Sequence, residues 1–400
     1  MASIPTPEEP SIDPNPPRPR TEPLRIALIR ASYTDFGGAE QFVARAVQAL
    51  AGSNVRVTLL TRRWDHNGQA DVLTCDPFYV GRLWRDWGFG RAVCRTLRDN
   101  DFDLVQSHER VPCCDVYRAG DGVHVEWLRQ RRRQMGCWGR LALALNPYHW
   151  FVASVERRLF ASPRLRAVIC NSEMVKAEIL ERFDVAETKL HVIYSGVDTE
   201  QFHPRLREAH RLSIRREYAI PADAILFLFV GSGFERKGLR QLLQATALLP
   251  SNCHLMVVGK DRKTGRFERF ADSLGISGRV RFTGPLKDVT GAYGAADAFV
   301  LPTLYDPVPN VILEAMACGL PVITSTKSGG AEFIEPGTNG YVCDALDVSG
   351  LCRSMQHLLS EDARELMGEA CRRKVEPYTL ERMSECYIRL YRSLLEEAER

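Results

Sequence analysis

A chain of 400 residues exceeds what one ordinary hydrophobic core holds, so about two domains are expected. Hydrophobic residues make up 45% of it, the share of a soluble globular protein, and no uncharged apolar run of about 18 residues occurs, which argues against a spanning helix. The formal net charge of +3, from 53 basic and 50 acidic residues, singles out no polyanionic partner by its size; its distribution along the chain is more informative.

Residues 1–23 hold eight prolines and almost no large apolar side chain, so they are expected to form a disordered tail. With no apolar h-region there, no signal peptide is expected, and the chain is placed in the cytoplasm. The twelve cysteines include no C-x-x-C pair. Cys75, Cys94, Cys170, Cys253 and Cys318 sit in apolar or helical contexts and read as buried free thiols in a reducing compartment, and no metal site is expected.

From Leu24 the sequence alternates strands and helices. "LRIALI" (24–29) reads as a strand, then comes the loop "RASYTDFGG", and "AEQFVARAVQAL" (39–50) has helical spacing. "VRVTLLT" (55–61), "FDLVQSH" (102–108), "LRAVICNS" (165–172) and "LHVIYSGVD" (190–198) read as further strands. The polar, basic stretch 196–222 joins this half to a second one. There the strands are "AILFLFVGS", "CHLMVVG", "RVRFTG", "AFVLPT", "PVITS" and "GYVCDA", with helices between them. This alternation predicts α/β architecture: two Rossmann-like, doubly wound parallel sheets. The domains are placed at 24–200 and 201–376. The last segment, 377–400, has Met383, Tyr387, Leu390, Tyr391 and Leu394 on one helical face and is expected to cross back onto the first domain.

Ligands of such sheets bind outside the carboxyl ends of the strands, so the loops there are the candidate site. "GSGFERKG" (231–238) sets glycines, among them Gly231 and Gly233, around Arg236 and Lys237 at a helix start, a pattern that admits an anion; the competing reading is a solvated basic turn. Its spacing is neither that of a Walker loop nor of a dinucleotide loop. Gly37 and Gly38 stand at another strand-to-helix turn, which alone could be only a turn. In "DPVPNVILEAMACG" (306–319), Pro307 and Pro309 keep Asp306 on a loop. Asn310 is a candidate N-cap for a helix starting at Val311, with Glu314 one turn in. In "RAGDGVH" (118–124), Asp121 and His124 flank Gly122; the alternative is a structural Asp-Gly turn.

The combination of "GGAEQF", "VGSGFERKGLRQLL", "VVG", "RVRFTG", "AADAFVLPT" and "DPVPNVILEAMACGLPVITSTKSGGAEFI" resembles the retaining family-4 glycosyltransferases of the GT-B fold, over about residues 24–395. "GSGFERKG" and "CDVYRAGDGVHVEWL" (114–128) are similar to lipopolysaccharide inner-core glucosyltransferases that act on heptose. The resemblance implies a cleft between the two domains, a nucleotide-diphosphate sugar, UDP-glucose, as substrate, and no cofactor or metal. It implies that Arg236 and Lys237 hold the donor diphosphate and that Glu314 bonds the ribose. The amides of Asn310, Val311 and Ile312 would meet the phosphate. The base would sit near Gly259, Phe282 and Thr283, with Gly329, Gly330 and Glu332 framing the donor. Asp306 stands where the family has Glu, one methylene longer, and would face the transferred sugar. Asp121 and His124 would orient the acceptor hydroxyl or the sugar O6. Other enzymes of the same fold, such as a sugar-nucleotide epimerase or a phosphorylase, and a non-catalytic membrane-binding scaffold are the competing readings.

Between Trp127 and Phe160 stand seven arginines against one acid, Glu156, together with three of the six tryptophans. That is the composition of an interfacial surface, and it suits a lipid-linked saccharide acceptor on the cytoplasmic face of the membrane. A solvated helix face is the alternative; no nucleic-acid motif accompanies the patch, and no nucleic-acid partner is expected.

Overall fold

The computed structural model describes residues 24–31, 55–63 and 71–398. Gly37, Gly38 and the helix expected over 39–50 lie outside these residues, as does the tail.

The first sheet has seven parallel strands: β1 (Leu24–Ile29), β2 (Val55–Thr61), β3 (Asp71–Thr74), β4 (Leu104–Ser107), β5 (Val116–Arg118), β6 (Ala167–Cys170) and β7 (Leu190–Val192). Their order is β3-β2-β1-β4-β5-β6-β7. Its helices are α1 (Gly81–Asp99), α2 (His124–Arg133), α3 (Cys137–Ala144), α4 (Pro147–Phe160) and α5 (Glu173–Arg182). The second sheet has six parallel strands: β8 (Ile225–Val230), β9 (Cys253–Val258), β10 (Val280–Gly284), β11 (Ala298–Leu301), β12 (Val322–Ser325) and β13 (Gly340–Cys343). They run in the order β10-β9-β8-β11-β12-β13. Every residue of β8 and β9 is buried, His254 of β9 included, as strands covered on both faces must be. In each sheet the order reverses once, between β1 and β4 and between β8 and β11. The crevice at such a reversal is open because the flanking loops leave on opposite faces. In the second sheet those loops are 231–238 and 302–309, the two loops singled out by their residue types.

The stretch 196–222 is more than a polar joiner. It contains α6 (Leu206–Glu217), which packs on α9 (Thr290–Ala295). Arg207, Arg211 and Arg215 recur every four residues on one face and meet Asp297. Arg215 is 1% exposed, and its guanidinium donates to Asp297 Oδ2 at 2.6 Å and to the carbonyls of Ala295, Ala222 and Ala224 at 2.8–3.0 Å. Asp297 also accepts from the Leu226 amide at 2.8 Å. Burial raises its carboxyl pKa, but Arg215, that amide and Arg211 outweigh burial and hold it below the usual range.

The final helix, α13 (Leu380–Ala398), crosses back as expected. Met383, Tyr387, Leu390, Tyr391 and Leu394 pack on Ile26, Leu28, Val57, Leu59, Leu104 and Ile169 of the first sheet. Two tyrosine hydroxyls anchor it: Arg118 Nε donates to Tyr387 at 3.0 Å, and Tyr391 donates to Gln106 Oε1 at 2.5 Å.

The cysteines depart from expectation at one place. Cys94 on α1 is bonded to Cys113 on the loop before β5, with Cα atoms 5.8 Å apart. Packing of the helix against that loop brings them together, and their separation of 19 residues follows no motif. Cys75, Cys170, Cys253 and Cys318 are buried free thiols, as read.

Candidate active site between the two domains

A cavity of about 970 Å³ is lined by both domains. From the second come Gly231, Arg236, Lys237, Gly259, Asp306, Asn310, Val311 and Glu314; from the first come Asp121 and His124. The loops at the reversal of the second sheet are joined through backbone. The Leu304 amide donates to the Arg236 carbonyl at 2.9 Å, and Thr303 Oγ1 donates to the same oxygen at 3.2 Å. Lys237 Nζ donates to Asp306 Oδ2, and Arg236 Nη1 reaches the same oxygen at 3.2 Å. Both members of the Lys237–Asp306 pair are under 9% exposed. Burial opposes ionisation of Asp306, yet Lys237 and then Arg236 outweigh it and hold the carboxyl below the usual range. For Lys237, burial and the repulsion of Arg236 exceed the attraction of Asp306, so its ammonium is more acidic than usual. An anion arriving at this place meets two cations, Lys237 buried and Arg236 with 39% of its side chain exposed, where charge interactions are stronger than in open water.

Asp306 is positioned by the loop after β12. Its amide donates to the Lys327 carbonyl at 3.0 Å, and its carbonyl accepts from Gly329 at 2.9 Å. A Cβ on Gly329 would lie 1.6 Å from the Pro307 carbonyl, so only glycine lets the two loops touch. Gly329 therefore shapes the Asp306 loop, Gly330 makes room for Ile312, and neither lines the cavity. Glu332 does not frame a donor either. Its carboxylate accepts from the Glu173 and Met174 amides at 3.0 and 2.7 Å, capping α5 of the other domain, and from Tyr194 at 2.7 Å.

Glu314 lies on α10 (Asn310–Ala317), whose cap position is Pro309, one residue earlier than Asn310. Tyr293 donates to Glu314 Oε2 at 2.8 Å and so sets the direction of the carboxylate. Asn310 and Val311 line the cavity. Ile312 is core, and its amide donates to the Pro309 carbonyl at 3.0 Å, which removes it from any phosphate contact. Gly233 is likewise absent from the lining; its amide turns to the Lys260 carbonyl at 3.4 Å. Phe282 faces Phe234, and Thr283 Oγ1 donates to the Gly284 carbonyl at 2.8 Å. The lining beside Gly259 instead comes from the next turn, Pro285–Val289, and from Lys260.

On the opposite wall the Asp121 side chain is 64% exposed and lies 3.6 Å from Arg110 Nη1. The His124 amide donates to the Glu156 carboxylate at 3.0 Å, and its Nε2 shares a proton with His149 Nδ1 at 3.1 Å. Arg110 Nε binds the same carboxylate at 2.8 Å. Burial first, then Arg110 and His149, push the His124 imidazole down to about 3, so it is neutral near pH 7. Unfolded, the same side chain takes up a proton near pH 6.5. Acidification therefore favours unfolding from about pH 6.5 down to the folded value. Between pH 7.5 and 5, urea melts should show wild type losing more stability than His124→Gln, by about 1–2 kcal/mol.

Tyr305 is one of the contacts between the two walls. Tyr305 accepts from the Val123 amide at 2.8 Å and donates to Glu178 Oε2 at 2.7 Å. Lys327 Nζ holds the other Glu178 oxygen at 2.8 Å. Gly122, at φ +65°, makes room: a Cβ there would lie 2.2 Å from the Tyr305 hydroxyl. Thus "RAGDGVH" and "YDPVPN", separate signals in the sequence, are adjacent in space. Sequence reasoning missed Tyr305 and Glu178, which pair across the domains, and Arg110, Glu156 and His149, which meet within the first domain from segments far apart in the chain. No cluster of three or more potential metal ligands occurs among the described residues.

A model of Glycosyltransferase Family 4 matches residues 36–201, and one of Glycosyl transferases group 1 matches residues 210–374. The chain is 26% identical over 365 residues to LpsE of Rhizobium meliloti, a lipopolysaccharide core biosynthesis glycosyltransferase, covering 89% of this chain and 96% of that one. It is 30% identical over 417 residues to the D-inositol 3-phosphate glycosyltransferase of Corynebacterium urealyticum, covering 93% and 96%. The crystal structure of WaaG, a glycosyltransferase involved in lipopolysaccharide biosynthesis, is similar with a TM-score of 0.79 at 24% identity over 90% of this chain and 98% of that one. Anabaena HepE in complex with UDP and glucose is similar with a TM-score of 0.69 at 18% identity, over 92% and 100%. With both halves matched in order and the same two-sheet architecture throughout, the chain belongs to glycosyltransferase family 4 and has the GT-B fold.

Proposed function

We propose that this enzyme transfers glucose from UDP-glucose to a hydroxyl of a lipid-linked saccharide, a heptose of the lipopolysaccharide inner core, with retention at the anomeric carbon and without a metal. The observation that carries the reading is the convergence of Arg236 and Lys237 on one buried carboxylate, at the sheet reversal and inside a cleft faced by an acceptor-side wall. LpsE and WaaG supply the lipopolysaccharide part of the reading, and HepE the donor.

In this scheme the donor diphosphate takes over the two cations, which neutralise the charge that builds on the leaving group. The leaving phosphate accepts the acceptor's proton on the same face, so no side chain serves as base. Asp306 has two parts to play. Being one methylene short, its carboxylate rests on Lys237 and Arg236 and aims both, and the sugar hydroxyls meet it from the cavity side. Glu314, directed by Tyr293, holds the ribose. Asp121 and the neutral His124 orient the acceptor. A transfer assay with a panel of nucleotide sugars and deacylated core oligosaccharides tests the reading; UDP-glucose turnover without any acceptor product would defeat it.

Docking on an anionic membrane surface belongs to the same reading. Among the described residues no helix is long and apolar enough to cross a membrane. Trp138, Leu141, Leu145 and Trp150 on and between α3 and α4 are each at least 50% exposed. Trp84 and Trp87 on α1 are 43% and 47% exposed. The structure divides the arginine run beside them. Arg132 is exposed, Arg131 lines the cavity, and Arg133 pairs with Asp344 of the second domain at 2.8 Å. A test of docking must therefore spare Arg131 and Arg133. Combined Trp138→Ser, Leu141→Ser and Trp150→Ser should lower co-sedimentation with anionic vesicles at least ~10-fold, since each buried aromatic or aliphatic side chain contributes about 1.5–3 kcal/mol. Unchanged binding would remove this face from the membrane.

A further inference from the structure

The reaction just proposed leaves one end of the cavity without a role. Three elements of the first domain converge there: α1 brings Arg82, α2 brings Arg131, and α4 brings Tyr148 and His149, all of which line the cavity. The Arg82 guanidinium lies 4.6 Å from the centre of the Tyr148 ring, and that of Arg131 lies 5.7 Å from the centre of the Trp127 ring. Both are thus held against aromatic faces, which narrows their freedom while leaving their N–H groups able to donate. Tyr148 is itself fixed, donating to Asp86 Oδ2 at 2.8 Å, and Asp86 is also engaged by Arg85 Nε at 2.7 Å.

What distinguishes these two arginines is the lack of an acid. Among the described residues neither forms an ion pair with a carboxylate within 4.0 Å. Arg110, on the same wall, is by contrast held by Glu156, Asp121 and the Gly122 carbonyl. The charge of the pair also reaches His149, whose imidazole is pushed down by burial and then by Arg131 and Arg82. Arg82, exposed, and Arg131, half-buried, come from different elements, line one cavity and both act on the same imidazole. An oxyanion at that place suits the planar donor fork of each guanidinium.

We propose that Arg82 and Arg131, with Tyr148 and His149 between them, form a subsite for an anionic substituent of the acceptor saccharide, a phosphate or a carboxylate borne away from the hydroxyl that is glycosylated. The proposal rests on the transferase reading for its acceptor, and on the structure alone for its anion. It adds a determinant of acceptor choice: a neutral saccharide of the same shape would bind more weakly.

The test uses water-soluble, deacylated core oligosaccharide, so that membrane docking contributes nothing. It is supplied untreated, treated with phosphatase, or with its carboxylates methyl-esterified. Arg82→Gln and Arg131→Gln should each raise the acceptor KM about 10- to 100-fold, the scale of one hydrogen bond to a charged group, with kcat and donor KM within about twofold. Wild type should show the same rise with whichever treatment removes the anion, which identifies phosphate or carboxylate as its source, and the variants should be insensitive to that treatment. An unchanged acceptor KM in the variants, or a rise that persists undiminished on both neutralised acceptors, overturns the subsite. Calorimetry keeps the two readings apart. Inorganic phosphate titrated into protein saturated with UDP should bind wild type and not the double variant whether or not turnover is seen, whereas absence of transfer from every donor would count against the transferase reading alone.

Discussion

Replacing Lys237 by alanine should lower kcat at least ~100-fold, the scale of removing one preorganised donor that stabilises charge in the transition state. The effect should fall on kcat more than on donor KM, because charge accumulates on the leaving diphosphate as the glycosidic bond breaks. Arg236 remains to hold Asp306 at 3.2 Å, so the fold should survive and the loss should be chemical. Without its ammonium partner Asp306 keeps the burial that raises its pKa and loses the largest influence that lowers it. Its carboxyl pKa should therefore rise, and the acidic limb of the residual activity should move to higher pH. Steady-state kinetics on folded variant, with melting temperature as the control, decide the point; near-normal turnover would remove Lys237 from the mechanism.

Asp297→Ala should destabilise the second domain by about 3–5 kcal/mol, the cost of leaving a buried charge without its counter-charge. Arg215 is 1% exposed and would keep only carbonyl acceptors, Arg207 and Arg211 would lose the same partner, and the Leu226 amide at the sheet would lose its acceptor. Two apolar replacements of similar volume, Arg215→Met with Asp297→Leu, should cost less than Asp297→Ala alone, because neither charge is then stranded. Urea denaturation of the three variants measures both effects. A loss below ~1 kcal/mol for Asp297→Ala would show that water, not the carboxylate, satisfies these arginines.

What the sequence announces clearly is what local chemistry alone determines. β8 is an unbroken apolar run, β9 is apolar but for His254, and the crossing helix carries its five contact residues at helical spacing, so these elements are readable without the fold. β3 and β5, of four and three residues, are too short to show a period. α6 buries Arg215 where an amphipathic reading looks for an apolar residue, so its composition reads as that of a linker. Among candidate site residues, Arg236, Lys237, Asp306 and Glu314 declare themselves by charge at strand-to-helix turns. Ile312, Phe282 and Thr283 follow from the resemblance alone, and packing in the core, packing on Phe234 and a hydrogen bond within its own turn, respectively, take them out of the cavity. Gly329 and Glu332 show the converse. Their work is done against Pro307 and against the start of α5, contacts that span chain separations no motif encodes.

The central claim is that this cleft moves a hexose from a diphosphate leaving group, with proton transfer on the same face. One measurement addresses it directly: NMR of the anomeric proton in the product formed from UDP-α-glucose and deacylated core oligosaccharide, with UDP release followed in the same tube. The account predicts UDP release that depends on acceptor, is lost in Lys237→Ala, and yields an α-linked glucose. A β-linked product, or UDP release indifferent to acceptor and to Lys237, would contradict it.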